Sequence, residues 1–203
     1  PEEMRGQYDI LFLMTKQQHN TEVVTIRKDF LAPDGVLVTF QNGLPEVQIA
    51  SILDEQRVLG CTVAWGATMQ SAGVCELTSE PDALSFSLGA ISANRSKHFA
   101  KVKELLELMG TVDIEDNFLG TRWSKLLINA SFSGMSAVLG CTFGEAAKPR
   151  ASRRIVQALI KECIDVCQAG GIRIEPVQGK DIVALLNYKN SIKKAFSYFI
   201  IPI

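Results

Sequence analysis

The rhythm of apolar residues changes once along this chain, and that change restricts the folds open to it. Up to about residue 116, short apolar runs alternate with helical stretches. Residues 9–15 (DILFLMT) form a continuous apolar run, the pattern of a parallel strand buried on both faces. Residues 21–30 read as a helix, 35–40 (GVLVTF) as a second buried strand, 45–56 as a helix and 58–65 as a third strand. Parallel neighbours need crossover connections, so this β-α-β-α-β order predicts a doubly wound parallel sheet. Residues 73–78 and 83–88 are two more strands with no room for a helix between them. They are expected to form a hairpin or meander that extends the sheet. Residues 94–109 read as an amphipathic helix and Thr111–Glu115 as a short strand after it.

Beyond residue 117 the strand signals stop. Residues 117–139 are expected to be helical, and Arg150–Ala169 to be a long helix that stops at Gly170-Gly171. The stretch from 180 onward (DIVALLNYKNSIKKAFSYF) reads as another single helix. Two domains follow from the change of rhythm: an α/β domain over 1–116 and an all-α domain over 117–203.

The helix at 117–139 holds the most pointed chemistry. Lys125, Asn129 and Ser133 recur at a spacing of four. At a rise of ~1.5 Å per residue they stand in a row, each ~6 Å from the next. Leu126, Leu127, Ile128, Ala130, Met135 and Ala137 surround them. A cation, an amide and a hydroxyl in an apolar setting suit the binding and protonation of a small oxygenated anion. A lysine stem covering core surface, with an amide bonded to a loop, would give the same pattern without function.

Two turns also stand out, because ligands of open α/β sheets lie beyond the carboxyl ends of the strands. One follows the first strand at Thr15, Lys16, Gln17 and Gln18. The other follows the second at Gln41, Asn42 and Gly43, where Asn-Gly tolerates positive φ and leads into a helix start that attracts anions. Taken alone, each is an ordinary turn.

Composition removes several alternatives. The net charge of −1 provides no basic surface for nucleic acid. No run of about 18 apolar residues is present, so no transmembrane helix is expected. The first residues (PEEMRGQYD) are polar and acidic, unlike a signal peptide. The five cysteines, Cys61, Cys75, Cys141, Cys163 and Cys167, are odd in number and lie in apolar segments, which favours reduced thiols and a cytoplasmic setting. Cys163 and Cys167 lie one helical turn apart, but no second pair or nearby histidine completes a zinc site. They are expected to be core residues, and neither His19 nor His98 is given a role.

Together, Thr15-Lys16, Gln41-Asn42-Gly43, the glycine-flanked GCTVAWGA at 60–67 and WSKLLINASFSG at 123–134 resemble the ketopantoate reductase (2-dehydropantoate 2-reductase) family. The resemblance implies a Rossmann-type sheet, here partial, followed by a helical domain like that at the C-terminus of 6-phosphogluconate dehydrogenase. It implies NADPH-dependent reduction of 2-dehydropantoate to (R)-pantoate, on the way to pantothenate and coenzyme A. By the same resemblance Lys125 matches the catalytic lysine and Asn129 a substrate-binding asparagine. Asn42 matches a turn residue that touches cofactor and substrate, Lys16 a lysine near the cofactor, and Gly66 a backbone contact to it. Ser133 stands where the family usually has a second asparagine. A homodimer is also implied, and no metal is required because the cofactor carries the reducing equivalents.

The chain departs from the family pattern at both ends. It contains no Gly-x-Gly-x-x-Gly, and it stops short of a segment that carries a serine and a glutamate in the family. A chain of this extent is expected to be a piece of a reductase that binds NADPH weakly by itself. Two other readings stay open: a related dehydrogenase acting on another 2-keto or β-hydroxy acid, and a non-catalytic scaffold or assembly domain that lost the cofactor site.

Overall fold

The computed structural model describes residues 3–93, 96–177 and 179–200. The chain divides into two compact units, Pro1–Phe118 and Leu119–Ile203.

The first unit is built on a five-stranded sheet. Its elements are β1 (Tyr8–Leu13), α1 (Asn20–Arg27), β2 (Leu31–Thr39), α2 (Pro45–Ala50), β3 (Val58–Val63), β4 (Ala67–Ser71), β5 (Val74–Leu77), β6 (Ser85–Ala90), α3 (Phe99–Glu107) and β7 (Thr111–Glu115). The strand order is β1-β2-β3-β6-β7. The β1-β2-β3 run is parallel, β6 lies antiparallel to β3, and β7 is parallel to β6.

β2 explains the layering. Its side chains alternate across the sheet, as a pleated strand requires. Val36 and Val38 pack with Leu59, Cys61, Phe86 and Leu88 against Phe99, Val102 and Leu106 of α3. Leu37 faces the other way, toward Leu13, Val24, Ile49 and Val58, in the cluster with α1 and α2. Each fully buried side chain of this size contributes about 1.5–3 kcal/mol.

Three expectations need correction in this unit. β1 is not buried on both faces. Of its residues only Leu13 is buried, and Phe12 remains 45% exposed. Among the described residues β1 pairs with β2 alone and forms the edge of the sheet, so one side has nothing to cover it. The segment around 73–78 does not extend the sheet either. It is β5, which pairs with β4 as a separate two-stranded ribbon turning at Gly73 (φ +77°). The sequence Thr68-Met69-Gln70 carries no apolar run to announce β4, and only β6 enters the main sheet. The helix expected over 45–56 ends at Ala50, and a short turn over Glu55–Arg57, started by Asp54 accepting from the Gln56 amide, leads into β3. Asn94 and Arg95, at the start of another expected helix, lie outside the described residues; α3 begins at Phe99.

The antiparallel step of the sheet contains a slot. Gly60 of β3 and Gly89 of β6 face each other in register. A Cβ on either would overlap the Phe118 ring or its Cβ, and at Gly60 also the Glu46 carboxylate. Phe118 is 1% exposed, so the missing side chains make the room that the ring fills.

The second unit is helical. α4 (Phe118–Ile128) starts at the unit boundary and continues through a π-turn over Asn129–Ser133 into α5 (Gly134–Leu139). Gly140, at φ +64°, ends it in the left-handed conformation. α6 (Phe143–Ala146) is started by a capping box between Thr142 and Glu145. The hydrogen bonds from Thr142 hold the Glu145 carboxyl below its ordinary value. α7 (Arg150–Ala169) follows, with Val156, Ile160 and Ile164 spaced one turn apart and packed with Leu127, Met135, Ala146 and Leu186. The stretch from 180 is two helices rather than one: α8 (Ile182–Leu186) and α9 (Ser191–Ile200). Asn187 leaves helical geometry, and Asn190 Oδ1 accepts from the Lys193 amide at 2.9 Å to start α9. Asparagine competes with helical bonding in this way. Gln157 Nε2 then ties α9 to α7 by donating to Lys194 O and Ser197 Oγ at 2.6 and 2.5 Å.

All five cysteines are free. Cys167 lies buried in α7. Burial, and then the neighbouring Cys163, push its thiol up to about 11.

Two outcomes follow. Gly89→Ala should cost about 1–3 kcal/mol of unfolding free energy by overpacking, and clearly less when Phe118→Ala has emptied the slot. Equal costs in both backgrounds, measured by urea unfolding, would rule out the ring as the reason for the glycine. Exposed Cys75 should react with Ellman's reagent in the native state, and Cys167 only on unfolding or as the pH nears 11. The unfolded chain loses the Cys167 proton near its ordinary value of 9.0 while the folded chain keeps it to about 11. Stability therefore declines as pH rises through that interval, and Cys167→Ala should flatten the decline.

Candidate functional site

In the first unit, the carboxyl ends of the parallel strands are joined by a buried polar brace. Leu13 pairs with Thr39, so the chain leaves β1 and β2 side by side. Gln41 reaches from the second exit to the first, where its Nε2 donates to Thr15 O at 2.6 Å and to Asn20 Oδ1 at 2.7 Å. Asn20 Nδ2 returns a bond to Gln41 Oε1 at 2.9 Å. Thr39 Oγ1 donates to the same oxygen and accepts from the Gln41 amide, both at 3.3 Å. Asn20 and Thr39 are fully buried and Gln41 nearly so. Satisfied networks of this kind hold one geometry, because breaking one member leaves the others unpaired in a low dielectric.

The brace presents two of the residues named from sequence. Asn42 is exposed and stands between clamped Gln41 and Gly43, whose φ of +82° only glycine adopts readily. Lys16 is exposed at the start of the β1–α1 connection. Gly66 lies after β3, and its backbone is already engaged: its amide donates to Ser79 Oγ and its carbonyl accepts from the Thr78 amide, each at 2.9 Å. Its amide is therefore committed to the β4–β5 ribbon, and any contact to a ligand falls to the carbonyl.

In the second unit, Lys125 and Asn129 lie one turn apart at the end of α4 and the start of the π-turn, and both are half-buried. Ser133 Oγ donates to Asn129 Oδ1 at 3.4 Å, a long bond that still places amide and hydroxyl side by side. The π-turn has a visible cause of support. The Gly134 amide bonds the Asn129 carbonyl five residues back, and Ser131 Oγ donates to Leu127 O at 2.7 Å. Single π-turns inside helices recur at functional sites. The regular spacing of four in the sequence does not announce one.

Sequence reasoning missed the brace and the buried charges Glu46 and Arg122, which are 2% and 1% exposed. An apolar pattern cannot reveal a buried polar partner, although Asn20 and Gln41 next to the two marked turns were a signal. At the opposite end of the sheet, Asp9, Asp34 and His98 bring one ligand-type atom each within 4.8 Å of one another. Lys97 is hydrogen-bonded to Asp34 and holds that carboxyl below its ordinary value, with its charge adding to the effect. The cluster already has its cation. No helix among the described residues is long and apolar enough to cross a membrane.

Comparison with known proteins agrees with this layout. Residues 1–90 match the family described as ketopantoate reductase PanE/ApbA, and residues 117–195 match its C-terminal domain. A 2-dehydropantoate 2-reductase of Streptococcus pyogenes serotype M6 is 24% identical over 178 residues, covering 86% of this chain and 56% of the relative. This chain thus spans about half the length of the curated relatives it matches. Among solved structures, D-mandelate dehydrogenase in complex with NADH superposes with a TM-score of 0.76 at 16% identity, covering 97% of this chain and 65% of the other. A ketopantoate reductase from Staphylococcus aureus, described as dimeric, superposes at 0.69 with 14% identity, covering 98% and 66%. These likenesses establish a Rossmann-type sheet followed by a helical region.

Gln41→Ala should cost about 1–3 kcal/mol, because it strands buried Asn20 and the Thr15 carbonyl without partners. Urea unfolding reads this directly, and a loss below about 0.5 kcal/mol would mean that the brace is replaced by water.

Proposed function

The chain belongs to the ketopantoate reductase family, and from that premise we propose that its parent protein reduces 2-dehydropantoate to (R)-pantoate with NADPH. The observation that carries this reading is the cluster at the end of α4. There a half-buried ammonium, a carboxamide and a hydroxyl share one stretch of helix, and the hydroxyl of Ser133 touches the carboxamide of Asn129.

The roles follow from charge and reach. Reduction of a ketone leaves negative charge on its oxygen. Lys125 Nζ donates a proton to that oxygen as the charge develops, which is general acid catalysis worth about 10²–10⁴-fold. Asn129 and Ser133 hold the carboxylate and hydroxyl of the substrate. Asn42, fixed by the brace beneath it, orients the carbonyl group.

The carboxyl edge of the first unit fits a nicotinamide cofactor in its donor set. Lys16 is an exposed cation with no partner among the described residues, suited to phosphate oxygens. Asn42 offers both a donor and an acceptor, and the Gly66 carbonyl offers an acceptor. When bound, NADPH supplies the hydride. The NADH complex of D-mandelate dehydrogenase supports a nicotinamide cofactor for this fold; the choice of NADPH is part of the proposal. The parent protein is further read as a cytoplasmic enzyme of pantothenate synthesis that works as a homodimer. The dimeric relative from S. aureus supports the last point.

In the full-length protein, Lys125→Ala should lower kcat by about two to four orders of magnitude, while NADPH affinity, followed by its fluorescence, changes less than about threefold. Retained turnover would sink the assignment of Lys125. Steady-state rates with 2-dehydropantoate should exceed those with phenylglyoxylate; the reverse order would assign the site to another 2-keto acid.

A further inference from the structure

A groove of about 860 Å³ lies in the second unit between α7 and α9, and shares no residue with the cluster around Lys125. Its volume falls in the range of small-molecule sites, about 300–1,000 Å³. Arg150, Arg153 and Arg154 line it from α7, and Lys194 lines it from α9. No carboxylate is among its lining residues.

This arrangement is costly as it stands. Arg150, Arg153 and Arg154 occupy the first turns of a 20-residue helix that has no acidic residue in its first turn. Cations there oppose the helix dipole, and arginines three and four residues apart repel one another. Farther along the same helix charge is balanced in the usual way, as Lys161 pairs with Asp165. The whole chain has a net charge of −1, so the concentration of positive charge is local.

Arg153 is held in place. Its Nε and Nη2 donate to Ala147 O and Lys148 O at 3.1 and 3.0 Å, and its guanidinium lies 4.7 Å from the centre of the Tyr198 ring. Arg150 and Arg154 have no hydrogen-bond or ion-pair partner among the described residues. Lys194 Nζ stands 5.6 Å from the centre of the Tyr188 ring. The Tyr198 hydroxyl is buried with no hydrogen-bond partner, which is uncommon for a phenol in that position. Unpaired guanidinium groups, a positioned third one, an unsatisfied hydroxyl and two tyrosine rings therefore meet at one groove.

We propose that this groove is a binding site for a small organic phosphate that carries a flat ring. Arg150 and Arg154 take the phosphate oxygens, for which the guanidinium fork is well matched. Tyr188 and Tyr198 receive the ring. Binding relieves the repulsion among the arginines, so the ligand stabilises the helical unit as well as occupying it.

The test is calorimetric titration of this chain with phenyl phosphate, inorganic pyrophosphate and phenol in low-chloride buffer. The two phosphates should bind saturably with Kd below about 1 mM, phenyl phosphate more tightly than inorganic phosphate, and phenol not at all. Arg150→Gln/Arg154→Gln should weaken the phosphates at least tenfold, while Lys148→Gln, an exposed cation outside the groove, should leave them within twofold. Mapping by amide chemical shifts on the unaltered chain gives a second reading, with changes expected over residues 150–158 and 188–198. Absence of saturable binding up to about 5 mM, equal binding by the double variant, or shifts confined to other segments would each overturn the proposal.

Discussion

Two glycines facing each other across the only antiparallel step of the described sheet set the terms for the first unit. β3 pairs in parallel with β2 on one side and antiparallel with β6 on the other. Side chains at Gly60 and Gly89 would fill the face where Phe118 lies. With hydrogens there instead, a phenyl ring enters the layer beside α2, and the cluster of Leu37, Ile49 and Val58 continues beneath it. The opposite face, built on Val38, Leu59 and Leu88, is covered by α3. A sheet with both faces occupied in this way makes the strand ends the natural place for chemistry, because its interior has no free space.

At those ends the molecule uses polar groups for rigidity. Gln41 bonds the Thr15 carbonyl, Asn20 and Thr39, and the exposed Asn42 follows directly. Catalytic groups work when their supports are fixed, since a displacement of about 1 Å can cost on the order of 100-fold in rate. In the helical unit the same purpose is served differently. The π-turn is closed by the Asn129 carbonyl, and Asn129 also receives Ser133 through its side chain. One residue thus joins the backbone irregularity to the polar cluster.

Much of the architecture could be read from periodicity. Thr111–Glu115 and Arg150–Ala169 have the expected bounds, because each carries its own pattern and its own stop. The change from strands to helices near residue 117 was legible for the same reason. β1 was not, since DILFLMT is apolar whether or not a neighbour covers it, and its exposure depends on pairing. β4 was hidden by Thr68 and Gln70, and the break at Asn187–Asn190 by a helix-like run on both sides. Lys125, Asn129 and Ser133 stood out as a spacing. Their brace counterpart, Gln41 with Asn20, is separated by 21 positions in the chain, a distance at which pattern carries no information.

The π-turn at Asn129–Ser133 makes this segment sensitive to length in a way that composition does not show. Such a turn holds one residue more than the α-helix around it. Dropping a single residue between Leu127 and Gly134 would restore regular helical winding and leave every remaining letter intact. It would also rotate everything downstream by roughly 100° about the helix axis, turning Met135 out of the cluster it shares with Val156 and Ile160. The arithmetic of the segment, as much as its vocabulary, is what evolution must keep here.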